Sequence, residues 1–118
     1  MSELDLASRG CVPCTGNTPT LVGHQRDQLL TQIPLWKLNP DGCRLTRVWR
    51  VRDFLTAVAF INRIAEVAEA NDHHPDIHLV NYRELSLELT THAAGGLTEN
   101  DLILAAKIDR LESPRLQG

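Results

Sequence analysis

Between Asp53 and Ala70 the apolar residues Phe54, Ala57, Val58, Ile61, Ile64, Ala65 and Ala68 recur every three to four positions, the spacing of one face of an α-helix. Such a stripe has to be covered, and the segments on either side carry the alternation of strands. Upstream, Leu35, Trp36 and Leu38 precede the turn signal Asn39-Pro40-Asp41-Gly42, and Arg44 to Val51 puts Leu45, Trp49 and Val51 on one face. Downstream, Ile77 to Tyr82 is followed by Leu85, Leu87, Leu89 and Thr91 in alternation with Ser86, Glu88, Thr90 and His92. Both connections are short enough for antiparallel hairpins. A short helix, Gly23 to Ile33, stops at Pro34, which cannot continue it. After the break at Gly95-Gly96, Thr98-x-x-Asp101 is a capping pattern that opens a last helix, Leu102 to Leu111. Asp53 stands at the N-cap of the long helix. The order is α-β-β-α-β-β-α, which specifies an α+β fold: a four-stranded antiparallel sheet with helices packed on one face.

A chain of 118 residues supports one hydrophobic core. Residues 1–20, with Cys11-Val-Pro-Cys14 and a run of turn formers to Thr20, read as an irregular arm, and residues 21–118 as a single domain. The 42% hydrophobic and 23% charged residues exclude a disordered chain. A net charge of −3 with no block of one sign argues against direct binding to nucleic acid or anionic lipid. No apolar run approaches the roughly 18 residues of a membrane span. Glu3 and Asp5 stand where a secretory leader would be basic and then apolar, so none is expected and the cytoplasm is the expected location. An odd set of cysteines, Cys11, Cys14 and Cys43, then reads as reduced thiols. Cys11-x-x-Cys14 has the spacing of half a zinc site or of a redox pair, but a second such pair and a thioredoxin-like context are missing; a surface arm without metal is the favoured reading.

His73 and His74 follow the long helix directly, and His92 ends the fourth strand, so a hairpin return can bring all three to one rim of the sheet. Imidazoles titrate near neutrality, and two or three around one cleft can supply both an acid and a base. Glu69 lies on the helical face leading to His73, and Asp72 and Asp76 flank the pair, as carboxylates able to orient a ring. Plainer roles compete. Paired histidines at a helix end complement its dipole, and Asp101 at the third position of a helix is explained by capping. A zinc site is disfavoured, because adjacent ligands diverge and no cysteine lies near His73 or His92 in sequence. His24 and His78 read as solvated.

Glu69-Ala-Asn-Asp72-His73-His74-Pro75, then Tyr82, Thr91-His92-Ala-Ala-Gly95-Gly96-Leu97-Thr98, and Asp101 followed by Leu-Ile-Leu-Ala-Ala-Lys-Ile-Asp109 together resemble the pterin-4a-carbinolamine dehydratases, from about Pro34 to Leu111. The Cys-x-x-Cys arm is similar to the N-terminus of some bacterial members. The resemblance implies the same helix-flanked four-stranded sheet, assembly into homodimers or homotetramers, and loss of water from a 4a-hydroxytetrahydropterin to give a quinonoid dihydropterin, without metal or organic cofactor. It implies His73 and His92 as the acid and base, with His74 holding or polarising the substrate. Glu69 and Asp72 would be supporting carboxylates, Pro75 part of the substrate-binding motif, and Asp101 the pocket edge. Three positions depart from better-known members: Ile77 for a tryptophan, Ala93 for an acidic residue, and Asn100 for a basic one. These bear on pocket lining more than on proton transfer. Relatives of the family also act as a transcriptional coactivator or as assembly factors for ribulose-bisphosphate carboxylase, which leaves a non-catalytic protein-binding role as the alternative.

Overall fold

A computed structural model of the chain describes residues 5–13 and 15–111. Helix α1, Gly23–Leu30, is followed by bonds from the N–H of Thr31, Gln32 and Ile33 to carbonyls three residues back, so the chain keeps turning, more tightly, as far as Ile33 before Pro34. Strands β1, Lys37–Leu38, and β2, Leu45–Arg50, form the first hairpin; α2 spans Phe54–Asn71; β3, Asp76–Val80, and β4, Glu84–Leu89, form the second; α3 is Glu99–Asp109. The sheet order is β1-β2-β4-β3, antiparallel throughout. The two hairpins therefore join through β2 and β4, with Leu45 opposite Leu89 and Arg50 opposite Glu84.

The alternation read from the sequence decides which face is covered. Leu45, Arg47 and Trp49 of β2 and Leu85, Leu87 and Leu89 of β4 point to one side and are buried, whereas Val48 points to the other and is exposed. Across the buried face lie Ala57, Phe60, Ile64 and Ala68 of α2 and most of α3, from Leu102 to Ile108. Trp36, Trp49 and Phe60 pack edge to face in series, with ring centroids 6.1 and 5.3 Å apart. Arg47 is the charged residue on this face. Its guanidinium pairs with Asp109 and lies 4.4 Å from the centre of the Trp49 ring, while Asp109 also accepts from the Trp36 indole N–H at 2.8 Å. Its charge is thus compensated where water is scarce.

Several boundaries differ from those expected. β1 shrinks to two residues, because Trp36 turns its ring into the core and leaves Leu35 exposed. Tyr82 belongs to a turn rather than a strand: Asn81 and Tyr82 both take left-handed backbone angles, φ 52° and 54°, which reverse the chain into β4. The stripe of α2 also needs correction. Phe54 lies on its line but in the first turn, where it remains 52% exposed, and Ala65 is exposed, while Phe60, absent from the expected stripe, is fully buried.

The N-terminal segment holds one turn of 3-10 helix, Leu6–Ser8, capped by the Asp5 side chain. Leu6 is fully buried, and its N–H donates to Gln32 Oε1 at 3.0 Å. Lys107 donates to the Ala7 carbonyl and Arg110 pairs with Asp5, which fastens the segment to α3.

Candidate active site

Three turns meet at one rim of the sheet. The first is the end of α2, where Asp72 takes the left-handed conformation (φ 51°, ψ 41°) and gives its N–H to the carbonyls of Ala68 and Glu69. This is the reversal that usually falls to glycine or asparagine at a helix C-terminus. It turns His73 and His74 off the helix axis. The second follows β4, where Thr91 forms an isolated bridge with Gly96 and His92 begins a single 3-10 turn, His92–Ala94. Gly95 closes that turn at φ 79°, a conformation that costs any other residue strain. The third is the start of α3, where the expected capping box of Thr98 and Asp101 is present.

Asp101 links all three. Its side chain is fully buried. Oδ2 accepts from the Thr98 backbone N–H at 3.0 Å and from the Thr91 hydroxyl at 2.7 Å, while Oδ1 lies 2.6 Å from His73 Nε2. The Thr98 hydroxyl lies 2.9 Å from that of Thr91 and donates to it, since the Thr91 proton is committed to Asp101. Capping and histidine support, read as alternatives for Asp101, are thus divided between its two oxygens. A neutral His73 carries its proton on Nε2 toward Asp101, which leaves Nδ1 as the acceptor. His74 Nε2 lies 2.8 Å from Glu69 Oε2, one turn back on α2.

His73, His74 and His92 line one cavity of about 370 Å³ together with Asp72, Thr90 and Thr91. Glu69, Pro75 and Asp101 are not among its lining residues; Glu69 and Asp101 stand behind the rings they bind. Asp76, a candidate for orienting a ring, instead faces Arg44 at 4.0 Å. His24 and His78 are exposed and outside the cavity. The remaining walls are Ala93, Asn100, Val12 and Pro13. From the alternation Thr91 reads as one more strand residue, and Val12 lies 88 residues along the chain from the Asn100 side chain that it bonds. Of the Cys-x-x-Cys pair, Cys11 is half-buried with its thiol 3.6 Å from the Asn100 carbonyl, and Cys14 lies outside the described residues. Among the described residues no group of three or more histidine, cysteine, aspartate or glutamate side chains is gathered to hold a metal ion, and no helix is long and apolar enough to cross a membrane.

Comparison with known proteins identifies relatives over most of the chain. Residues 19–111 match the family profile described as Pterin 4 alpha carbinolamine dehydratase. A protein of Halorhodospira halophila, provisionally named a pterin-4-alpha-carbinolamine dehydratase, is 44% identical over 108 residues, covering 92% of this chain and 98% of its own. The mitochondrial pterin-4-alpha-carbinolamine dehydratase 2 of Arabidopsis thaliana is 44% identical over 114 residues, which cover 94% of this chain and 61% of that protein. Among solved structures, a transcriptional coactivator/pterin dehydratase from Brucella melitensis superposes with a TM-score of 0.71 at 30% identity, over 77% of this chain and 96% of that one. A pterin dehydratase-like protein described as a RuBisCO assembly factor of the alpha-carboxysome shares the fold at TM-score 0.52 and 20% identity, over 63% of this chain and 84% of that one. The profile match over most of the chain, the identity to these relatives and the shared fold together establish that the chain belongs to the pterin-4-alpha-carbinolamine dehydratase family.

Proposed function

We propose that this protein dehydrates a 4a-hydroxytetrahydropterin to the quinonoid dihydropterin by histidine general acid–base catalysis. The observation that carries the reading is the convergence of His73, His74 and His92 on a single cavity, with a buried carboxylate behind one ring and an exposed carboxylate behind another. Its volume falls in the range of about 300–1,000 Å³ typical of small-molecule sites. In the reaction the C4a–O bond breaks as an acid protonates the departing hydroxyl, a base removes the proton from N5, and the C4a=N5 double bond forms; the products are water and the dihydropterin. His73, its Nε2–H directed to Asp101, offers Nδ1 as base, and His92, on the 3-10 turn that lines the same cavity, is the acid. His74, steadied by Glu69, holds the substrate, and Asp72 adds a carboxylate at the rim. Net proton balance is restored through solvent, so no metal or organic cofactor is required.

The same reading takes residues 21–118 as the domain that carries the chemistry and residues 1–20 as an arm. It takes the protein as a cytoplasmic homodimer or homotetramer, a state that light scattering measures directly. The coactivator and assembly-factor roles described for the two solved relatives are the competing reading, and retention of the complete histidine set favours catalysis. The test is to add purified protein to freshly generated 4a-hydroxytetrahydropterin and follow water loss. Wild type should accelerate it, and the His73→Ala/His92→Ala double variant should lose about 10²- to 10⁴-fold. An unchanged rate in the folded double variant would refute the assigned roles.

A further inference from the structure

We infer that Asn100 is a positioning residue that clamps the Val12-Pro13 segment in place as a wall of the histidine cavity, so that substrate affinity depends on a piece of chain 88 residues away in sequence. This rests on the dehydratase reading and adds to it a determinant of binding.

Asn100 sits in the first turn of α3 and is 4% exposed. Its side-chain amide engages one arm residue in both directions: Oδ1 accepts from the Val12 N–H at 3.0 Å, and Nδ2 donates to the Val12 carbonyl at 2.6 Å. The amide thereby imitates one rung of a β-ladder, donor to acceptor and acceptor to donor. Aspartate at this position would lack the donor, and glutamine would overshoot by a methylene. The clamp grips backbone, both bonds being to main-chain atoms of Val12, a residue that is itself 63% exposed. The following residue is Pro13, whose fixed φ and missing N–H let it stand at the cavity rim without demanding a partner. Cys11 adds its thiol contact to the Asn100 carbonyl. Val12 and Asn100 also line a second cavity, of about 260 Å³, beside α1. The clamped pair is therefore the partition between the two spaces, and releasing it would open the histidine cavity on that side.

The experiment compares wild type, Asn100→Ala and Val12→Pro. The second variant deletes the backbone donor while leaving Asn100 and α3 untouched, and so keeps the test open if Asn100→Ala does not fold. Readouts are exchange of the Val12 amide, KM and kcat for 4a-hydroxytetrahydropterin, and binding of 7,8-dihydrobiopterin as a stable pterin. In Asn100→Ala the Val12 amide should exchange at least about tenfold faster as its hydrogen bond is lost. In both variants KM and the dihydrobiopterin Kd should rise about tenfold with kcat within about threefold, the pattern of lost uniform binding. A merely structural role would lower stability without this split. KM unmoved in folded variants, against normal wild-type turnover, would overturn the wall alone. Wild type with neither turnover nor pterin binding would overturn the dehydratase reading and the wall with it.

Discussion

Asp101→Asn separates the chemistry of this site from its architecture. The substitution keeps size and shape, but the surroundings dictate how the amide must lie. Oδ2 of Asp101 receives two donors, the Thr98 N–H at 3.0 Å and the Thr91 hydroxyl at 2.7 Å, so asparagine has to leave its carbonyl oxygen there. Its NH2 group then occupies the Oδ1 position, 2.6 Å from His73 Nε2. A donor now faces a donor, and the ring responds by moving its proton to Nδ1. Nδ1, the nitrogen proposed as the base, becomes a donor, so the neutral ring cannot take a proton from N5 there. The rate should fall about 10²- to 10⁴-fold, the contribution of a positioned base, with KM little changed. Stability should suffer less. Each of the three hydrogen bonds at the carboxylate passes from charge-assisted, worth about 1.5–3 kcal/mol, to neutral, worth about 0.5–1.5 kcal/mol, while the cost of burying a charge disappears, so the net loss should stay near about 1–2 kcal/mol. Single-turnover kinetics measure the first effect, urea denaturation the second, and 15N shifts of the His73 imidazole report the tautomer. A folded Asp101→Asn protein that dehydrates at the wild-type rate, or whose His73 keeps its proton on Nε2, would refute the reasoning.

Phe60→Ala should cost about 3–5 kcal/mol in denaturation, because it empties the place beneath Trp49, whereas Phe54→Ala should stay within about 0.5 kcal/mol, since that ring is half in solvent. Asp72→Gly should raise stability by about 0.5–1 kcal/mol, because glycine takes the left-handed angles of that helix end without strain, while kcat/KM falls as the carboxylate leaves the cavity. The Thr56 hydroxyl and N–H hydrogen bonds hold the Asp53 carboxyl below its ordinary value of 3.8. Asp53 therefore adds stability above that pH and loses it as pH falls through the lower folded value. Comparing wild type with Asp53→Asn across acid pH should show the difference constant above about pH 5 and shrinking only in this window.

Local periodicity carried most of the architecture, because it is a property of consecutive residues. The alternation of Leu85, Leu87 and Leu89, the Asp53 cap and the Thr98–Asp101 box each specify their element without reference to anything distant. The errors fall where local pattern stops deciding. Phe54 and Phe60 are equally apolar, and which one is buried depends on where neighbouring elements end. Tyr82 has strand propensity, yet the two-residue reversal at Asn81-Tyr82 claims it.

By itself the sequence determined the element order, the buried faces of β2 and β4, the set of histidines that could act near neutral pH, and the kinship to one family, since all of these are written in residue type and spacing. Only the tertiary structure decided that Asp101 serves a helix cap and an imidazole at once, that the His74 ring rests on Glu69 while Asp76 turns away to Arg44, and that Val12 and Pro13 stand beside the histidines. The physical reason is that hydrogen bonds and cavity walls are made between atoms near in space. A contact such as Asn100 to Val12 leaves no mark in the spacing of either segment, and comes into being only when the sheet, α3 and the N-terminal segment have packed together.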